Sequence, residues 1–203
     1  TYSYLLVDEA TLIDTGDESV EARAALEEQL KSAGIKIHDM ERIIITHLHR
    51  DHVGLVEYVK SLSGAEVCAH EVAVCMMKNR IDNGEKAREK ALNEIKILGG
   101  GDLLNFMDRF QCSFVYKRPV LKIEKKLCDN EKADLNGSSL KVIWTPGHAR
   151  EHICLYSEKK KYLFSGDHVL PRITPHVGLR PFEDADPLRD YLNSLEKVRR
   201  VRV

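Results

Sequence analysis

The chain has 203 residues, of which 43% are hydrophobic and 31% charged, a composition ordinary for a globular protein with one sizeable core. Its formal net charge of -1 excludes the basic excess typical of nucleic-acid-binding proteins and gives no attraction to an anionic membrane surface. No apolar run approaches the ~20 residues that a membrane-spanning helix requires.

The first part of the chain is predicted to alternate strands and helices. Residues 3–9 and 11–15 read as two strands around a tight turn, and residues 42–46 form a short continuous apolar run, typical of a strand buried on both faces. Residues 19–33 read as an amphipathic helix whose inward positions include Val20 and Leu26. A further helix at residues 55–62 and a strand at residues 66–69 complete this half.

Residues 71–110 have a different pattern and are predicted to form a largely helical insert. Breaks are expected at Asn83 and Gly84 and at the three glycines of residues 99–101. The apolar positions are spaced for one buried stripe per helix, which favours a core-packing insert. The alternative is a lid that covers a substrate pocket, with Met107 and Phe110 among the side chains that would grip the substrate.

After residue 120 the pattern is again typical of strands. Residues 140–144 are expected to form a strand, residues 153–157 and 162–165 a hairpin, and Pro187 to open a last helix with Leu188 and Leu192 on its apolar face. Each half places strands before a loop rich in polar residues. We therefore predict a single domain over residues 1–203, built from two half-modules.

The cysteine pattern bears on the cellular compartment. The number of cysteines is odd, and no pair has the C-x-x-C spacing of a zinc knuckle. Reduced thiols in a cytoplasmic protein are therefore expected. The five cysteines are Cys68, Cys75, Cys112, Cys128 and Cys154.

A dense group of metal-competent side chains follows the buried strand at residues 42–46. His47 and His49 leave the strand two residues apart, which projects both imidazoles to one side, and Asp51 and His52 follow after the chain has turned. Four such side chains within six residues would crowd a single ion. They suit two neighbouring ions, with His47 and His49 on one, and Asp51 and His52 on the other.

Three further groups stand at the ends of other predicted strands. His148 follows a strand in a turn fixed by Pro146 and Gly147, and Asp167 follows another; its two oxygens are able to bridge two cations. Asp14 ends a third strand, and we expect it to order a ligand histidine or the motif loop without touching metal.

These motifs resemble, in order, the signature motifs of the metallo-β-lactamase superfamily. The segments are residues 12–16, 46–54, 145–148 and 165–167, and His-x-His-x-Asp-His is among the more diagnostic of metal motifs. The resemblance implies an α+β fold, a four-layer αββα sandwich of two mixed sheets with helices outside. It also implies one metal on His47, His49 and His148, a second on Asp51 and His52, and Asp167 bridging both.

The end of the chain departs from the family pattern. The superfamily normally supplies one more histidine to the second metal from a loop after the last helix, and this sequence ends at Val203. We therefore expect that the C-terminal part of the domain is incomplete and that the second metal site lacks a ligand.

The predicted activity is that of a metal-dependent hydrolase with two divalent ions, zinc first and iron or manganese as alternatives. A hydroxide held by both ions would attack a carbonyl ester, a thioester or a lactone, with Asp51 as the catalytic carboxylate that holds the attacking water. A phosphodiesterase or ribonuclease on the same site is the alternative. A redox diiron module and a metal-free binding module fit the motifs less well.

Four residues outside the metal motifs are candidates for substrate contact: His70, His168, His176 and Arg172. Each lies near a predicted site loop, but none has the spacing of a metal ligand. The partner expected is a small-molecule substrate, with nucleic acid disfavoured by the charge and a homo-oligomer possible.

Overall fold

A computed structural model describes residues 2–109, 120–178 and 185–202. The chain divides into two compact units, one made of Thr1–Val74 and Lys122–Val203, the other of Cys75–Leu121. Among the described residues, no helix is both long enough and apolar enough to cross a bilayer. Phe110, a candidate lid residue, lies outside the described residues, and the side chain of Met107 is not described.

The larger unit contains two β-sheets. The first has five strands in the order β1-β2-β3-β4-β5; β1 and β2 are antiparallel and the other pairs are parallel. The second has four antiparallel strands in the order β6-β7-β8-β9. The strands are β1 (Tyr4–Leu6), β2 (Thr11–Ile13), β3 (Arg42–Ile44), β4 (Glu66–His70), β5 (Lys125–Leu127), β6 (Lys132–Leu135), β7 (Ser138–Trp144), β8 (Ile153–Ser157) and β9 (Tyr162–Phe164).

The main core lies between the two sheets. Ile13, Ile44 and Cys68 are partners across the first sheet, and they pack in one buried cluster with Val142 and Leu155 of the second. Because side chains alternate along a strand, their sequence neighbours point to the opposite face. That face of the second sheet carries Ile143, Cys154 and Tyr156, covered by Val198 and Val201. This is the sandwich that the sequence predicts.

Helices follow the expected order, with corrections in detail. Ser19 caps α1 by accepting a hydrogen bond from the Ala22 N–H, but Val20 is 80% exposed, so it does not point inward as predicted. Leu188 and Leu192 are also largely exposed. The helices are α1 (Val20–Ser32), α2 (Arg50–Val53), α3 (Val56–Ser63), α4 (Glu71–Ile97), α5 (Gly101–Arg109) and α6 (Pro187–Arg199).

The insert differs from the prediction at one of its two expected breaks. Helix α4 continues without interruption through Asn83 and Gly84, whereas Gly99, at a φ of 83°, lies between α4 and α5. A single glycine inside a long helical segment lowers helix stability by about 1 kcal/mol, which the rest of the helix outweighs. A left-handed glycine after the last turn ends a helix.

Candidate metal centre

The loops that follow β3 and β7 bring three histidine rings together. Nδ1 of His49 lies 3.0 Å from Nε2 of His47 and 2.9 Å from Nε2 of His148. Ligands bound ~2.0–2.1 Å from a tetrahedral zinc ion are separated by about 3.4 Å, so these three nitrogens have nearly the spacing of one ligand set. They are the three residues that the family resemblance implies for the first metal.

A second group, made of His47, His52 and Asp167, adjoins the first. The two oxygens of Asp167 face different histidines: Oδ1 lies 3.3 Å from Nε2 of His52, and Oδ2 lies 3.6 Å from Nε2 of His148. Asp51 also reaches this group, with Oδ2 3.6 Å from Nε2 of His52. Asp167 thus lies between the two groups.

The ring nitrogens on the far side of these histidines are held by the protein. Nδ1 of His47 lies 3.1 Å from Oγ1 of Thr46. His52 donates from Nδ1 to Oδ2 of Asp14 at 2.7 Å, and His148 donates from Nδ1 to the carbonyl oxygen of His176 at 2.8 Å. In all three rings Nε2 is consequently the nitrogen that faces the centre, an arrangement common around bound metal ions.

One buried atom in the centre tests whether the residues fit a metal ion. Nε2 of His52 is inaccessible to solvent and makes no hydrogen bond of good geometry with a described residue; carboxylate oxygens of Asp167 and Asp51 lie 3.3 and 3.6 Å away. Leaving a buried polar atom without a partner costs about 1–3 kcal/mol, so such atoms are rare unless an ion or another group completes them. A donor set of imidazole nitrogens and carboxylate oxygens suits zinc, iron or manganese. The residues present therefore fit the implied group.

Asp14 is buried beside the centre and contacts both Thr46 and His52. Its side chain is 2% exposed, Oδ1 accepts the Thr46 N–H at 2.8 Å, and Oδ2 accepts the Thr46 hydroxyl at 2.7 Å as well as the His52 ring. Its backbone has a φ of 57°, a left-handed conformation that aspartate tolerates better than most residues. Asp14 thus contacts both the motif loop and a histidine; the sequence predicts that it orders one or the other.

Burial and neighbouring charges set the protonation of the centre. Burial, together with the surrounding histidines, lowers the pKa of His47 well below its usual value, which favours the neutral form that binds metal. Burial also lowers the pKa of His52, but the carboxylates of Asp14 and Asp167 outweigh it and raise the pKa to about 9. In return, the contact with His52 lowers the pKa of Asp167.

Beneath the centre lies a residue whose contribution the sequence did not reveal. His152 is fully buried; its Nε2 accepts the Asp167 N–H at 3.1 Å, and its Nδ1 lies 2.7 Å from the Thr145 hydroxyl. A Cβ at Gly166 would lie only 2.6 Å from the His152 ring, so the loop before Asp167 needs a glycine here. The repeated His-x-x-x-His spacing of His148 and His152 was the available signal.

The four candidate substrate contacts divide into two pairs. His70 and His168 are buried, at 2% and 0% exposure; His70 stacks on Trp144 at 5.3 Å and His168 meets Tyr191 edge-on at 5.1 Å. Neither ring reaches the surface in the described structure, and substrate contact by either ring stays a prediction. Arg172 and His176 are exposed, and the carbonyl oxygen of His176 contacts the centre. Substrate contact by their side chains stays a prediction.

Comparison with known proteins agrees with this geometry. A sequence profile described as "Metallo-beta-lactamase superfamily" matches residues 1–203. The chain is 29% identical over 199 residues to a probable metallo-hydrolase, YqjP, of Bacillus subtilis, covering 94% of this chain and 60% of that protein. It is 29% identical over 202 residues to a beta-lactamase-like protein 2 homolog of Caenorhabditis elegans, covering 98% and 52%.

A solved structure extends the comparison to three dimensions. A metallo-beta-lactamase family protein from Thermus thermophilus superimposes with a TM-score of 0.81 at 30% identity, covering 98% of this chain and 64% of that one. The chain spans about half the length of the curated relatives that it matches. The profile match over the whole chain and the shared fold establish that this chain belongs to the metallo-β-lactamase superfamily.

Proposed function

We propose that this protein is a hydrolase that works with two divalent metal ions. The observation that carries the proposal is the pair of adjoining ligand groups, with Asp167 facing a histidine of each. The residues of both groups lie in the segments that follow strands β3, β7 and β9. The ligands would be His47, His49, His148, Asp51, His52 and Asp167.

The chain's own residues divide the work in this proposal. When bound, two divalent ions lower the pKa of water to near neutrality and stabilise negative charge that develops on the substrate. Asp51, with half of its side chain exposed, is placed to accept a hydrogen bond from the attacking water and so to orient it. Asp14 and Thr46 keep the histidines in the binding orientation from the buried side.

The proposed substrate is a carboxylic ester, a thioester or a lactone. A relative named thioesterase pkgB, from Emericella nidulans, is 24% identical over 172 residues and covers 84% of this chain and 36% of that protein, which supports a carbonyl substrate. The same pair of ions also suits phosphodiesters, including RNA, but the net charge of -1 gives no attraction to a polyanion.

A substrate panel tests the proposal. The protein, purified without chelator and loaded in parallel with zinc, iron or manganese, is assayed on a thioester, an ester, a lactone and a phosphodiester. We expect chelator-sensitive turnover on one of the carbonyl substrates. Turnover of the phosphodiester alone would show that the substrate is a phosphodiester and not a carbonyl compound. Turnover that survives chelation would contradict the metal-dependent mechanism.

Replacement of Asp51 tests whether this residue acts on the attacking water or on substrate binding. Asp51→Asn keeps the side-chain size but removes the charge, and we expect kcat to fall by about 10²-fold or more while KM changes little, since the residue does not hold substrate. Asp8→Asn, at an exposed position, is the matched control. Near wild-type kcat for the Asp51 variant would mean that another residue orients the water.

The compartment proposed is the cytoplasm. All four cysteines among the described residues are unpaired, namely Cys68, Cys75, Cys128 and Cys154. Unpaired thiols are usual where glutathione keeps proteins reduced, which supports this proposal.

A further inference from the structure

Glu151 lies in the loop between β7 and β8, three residues after His148, and its side chain is only 2% exposed. The backbone just beyond it is fixed to the loop of the first histidines, since the Ile153 N–H donates to the Thr46 carbonyl at 2.9 Å. The segment that begins at Glu151 therefore lies directly against the segment that leads into His47 and His49.

The Glu151 carboxylate completes this contact. Its Oε1 accepts the Leu48 N–H at 3.0 Å, across 103 residues of sequence. Leu48 stands between His47 and His49, whose ring nitrogens lie 3.0 Å apart. This hydrogen bond therefore ties the peptide between the two histidines to the loop of Glu151.

We propose that Glu151 is a positioning residue for the metal centre: it holds the peptide between His47 and His49 so that both rings meet the same ion. The proposal rests on the metal-dependent function proposed above. A role in stability alone is the alternative, in which Glu151 only satisfies a buried N–H. The two roles predict different metal affinities for a Glu151 variant that still folds: a positioning role predicts a loss of affinity, and a role in stability alone predicts none.

The second carboxylate oxygen of Glu151 helps to distinguish the two roles. Oε2 of Glu151 is buried and makes no hydrogen bond within the described part of the chain. Burying a half-satisfied carboxylate is costly, and a neutral amide would satisfy the Leu48 N–H equally well through its oxygen. If positioning through Oε1 is the role, Glu151→Gln retains it and Glu151→Ala does not.

Zinc affinity, measured by competition with a chromophoric chelator, is the first readout, and the absorption spectrum of the Co(II)-loaded protein is the second. For Glu151→Ala we expect a loss of zinc affinity of about 10–100-fold and an altered Co(II) spectrum. Glu151→Gln should stay within a few-fold of the wild type with the wild-type spectrum. Glu158→Ala, an exposed glutamate paired with Lys132, is the control.

Two results would overturn the proposal. One is a Glu151→Ala protein that binds zinc as the wild type does; the other is a Glu151→Gln protein that loses as much affinity as Glu151→Ala, which would assign the effect to charge. If the alanine variant does not fold, Glu151→Asp, which withdraws the carboxylate by one methylene, should show the same spectral change. A wild-type protein that binds no zinc would instead contradict the proposed function itself.

Discussion

At the scale of single residues, His47, His52 and His148 each depend on a partner outside the group of candidate ligands. Thr46, Asp14 and the His176 carbonyl each hold the Nδ1 side of one ring. Aspartate after a strand is an observable pattern, so Asp14 could be predicted from the sequence. The His176 carbonyl could not, because any residue supplies a carbonyl and only the path of the loop decides which one meets His148.

His70 offers a residue-scale test away from the metal ligands. Burial lowers the pKa of His70, while the carboxylates of Glu71, Asp129 and Glu151 raise it and Lys197 lowers it, with a net lowering. In the unfolded chain, the His70 side chain has its ordinary pKa of about 6.5 and takes up a proton below that pH. In the folded protein, the lowered pKa keeps the same side chain neutral until a lower pH. Above about pH 6.5, protonation of His70 therefore does not change the free energy of unfolding. As the pH falls from there toward the folded pKa, it lowers the free energy of unfolding increasingly.

We expect His70→Gln to lose less unfolding free energy than the wild type when the pH is lowered from about 7.5 to about 5. Denaturant titrations at both pH values measure this difference, and it does not depend on the variant's own loss of stability. His38→Gln, at an exposed position, should keep the wild-type pH dependence. Equal pH dependence in the His70 variant and the wild type would contradict the account of His70.

At the scale of elements, strands were predicted better than helix faces. Residues 42–46 read as a buried strand because both faces carry apolar side chains, and β3 is buried as expected. Val20, Leu188 and Leu192 were placed inward by periodicity, yet all three are exposed. A helix of 13 residues carries more than one possible apolar stripe, and the sheet it packs against decides which one is buried.

Helix α6 and the loop of His148 meet at Gly147. A Cβ on Gly147, which has a φ of 140°, would lie 2.5 Å from Cβ and 2.6 Å from Cα of Tyr191. The backbone of the helix cannot yield as a flexible side chain would. Ser194 of the same helix donates to the Pro146 carbonyl at 2.8 Å and holds the two elements together.

Gly147→Ala should therefore displace the loop and weaken zinc binding, in addition to lowering the melting temperature. Gly137→Ala is the matched control, because Gly137 also has a positive φ, of 84°, but nothing lies within 4 Å of its Cβ position. The control should lose about 1 kcal/mol of stability from backbone strain and retain zinc. Equal melting temperatures and equal zinc affinity in the two variants would argue against the contact with Tyr191.

At the scale of the whole molecule, the fold and the clustering of the candidate ligands could be predicted from the sequence for one reason. The ligands stand in short motifs at the ends of apolar strands, and strand ends meet at the edge of a sandwich. Glu151 acts through a contact with Leu48, which is distant in the chain, and no local spacing indicates it. For His152, which accepts the Asp167 N–H, the spacing from His148 was the available signal. Both interpretations of the insert, core packing and the alternative of a lid, stay predictions.

The central claim is that this chain holds two metal ions on one set of residues, and elemental analysis of protein purified without chelator tests it most directly. We predict about two transition-metal ions per chain, with loss of the first site and of turnover in His148→Ala and an unchanged content in His38→Ala. A wild-type chain without metal, whose turnover also resists chelator, would contradict the account.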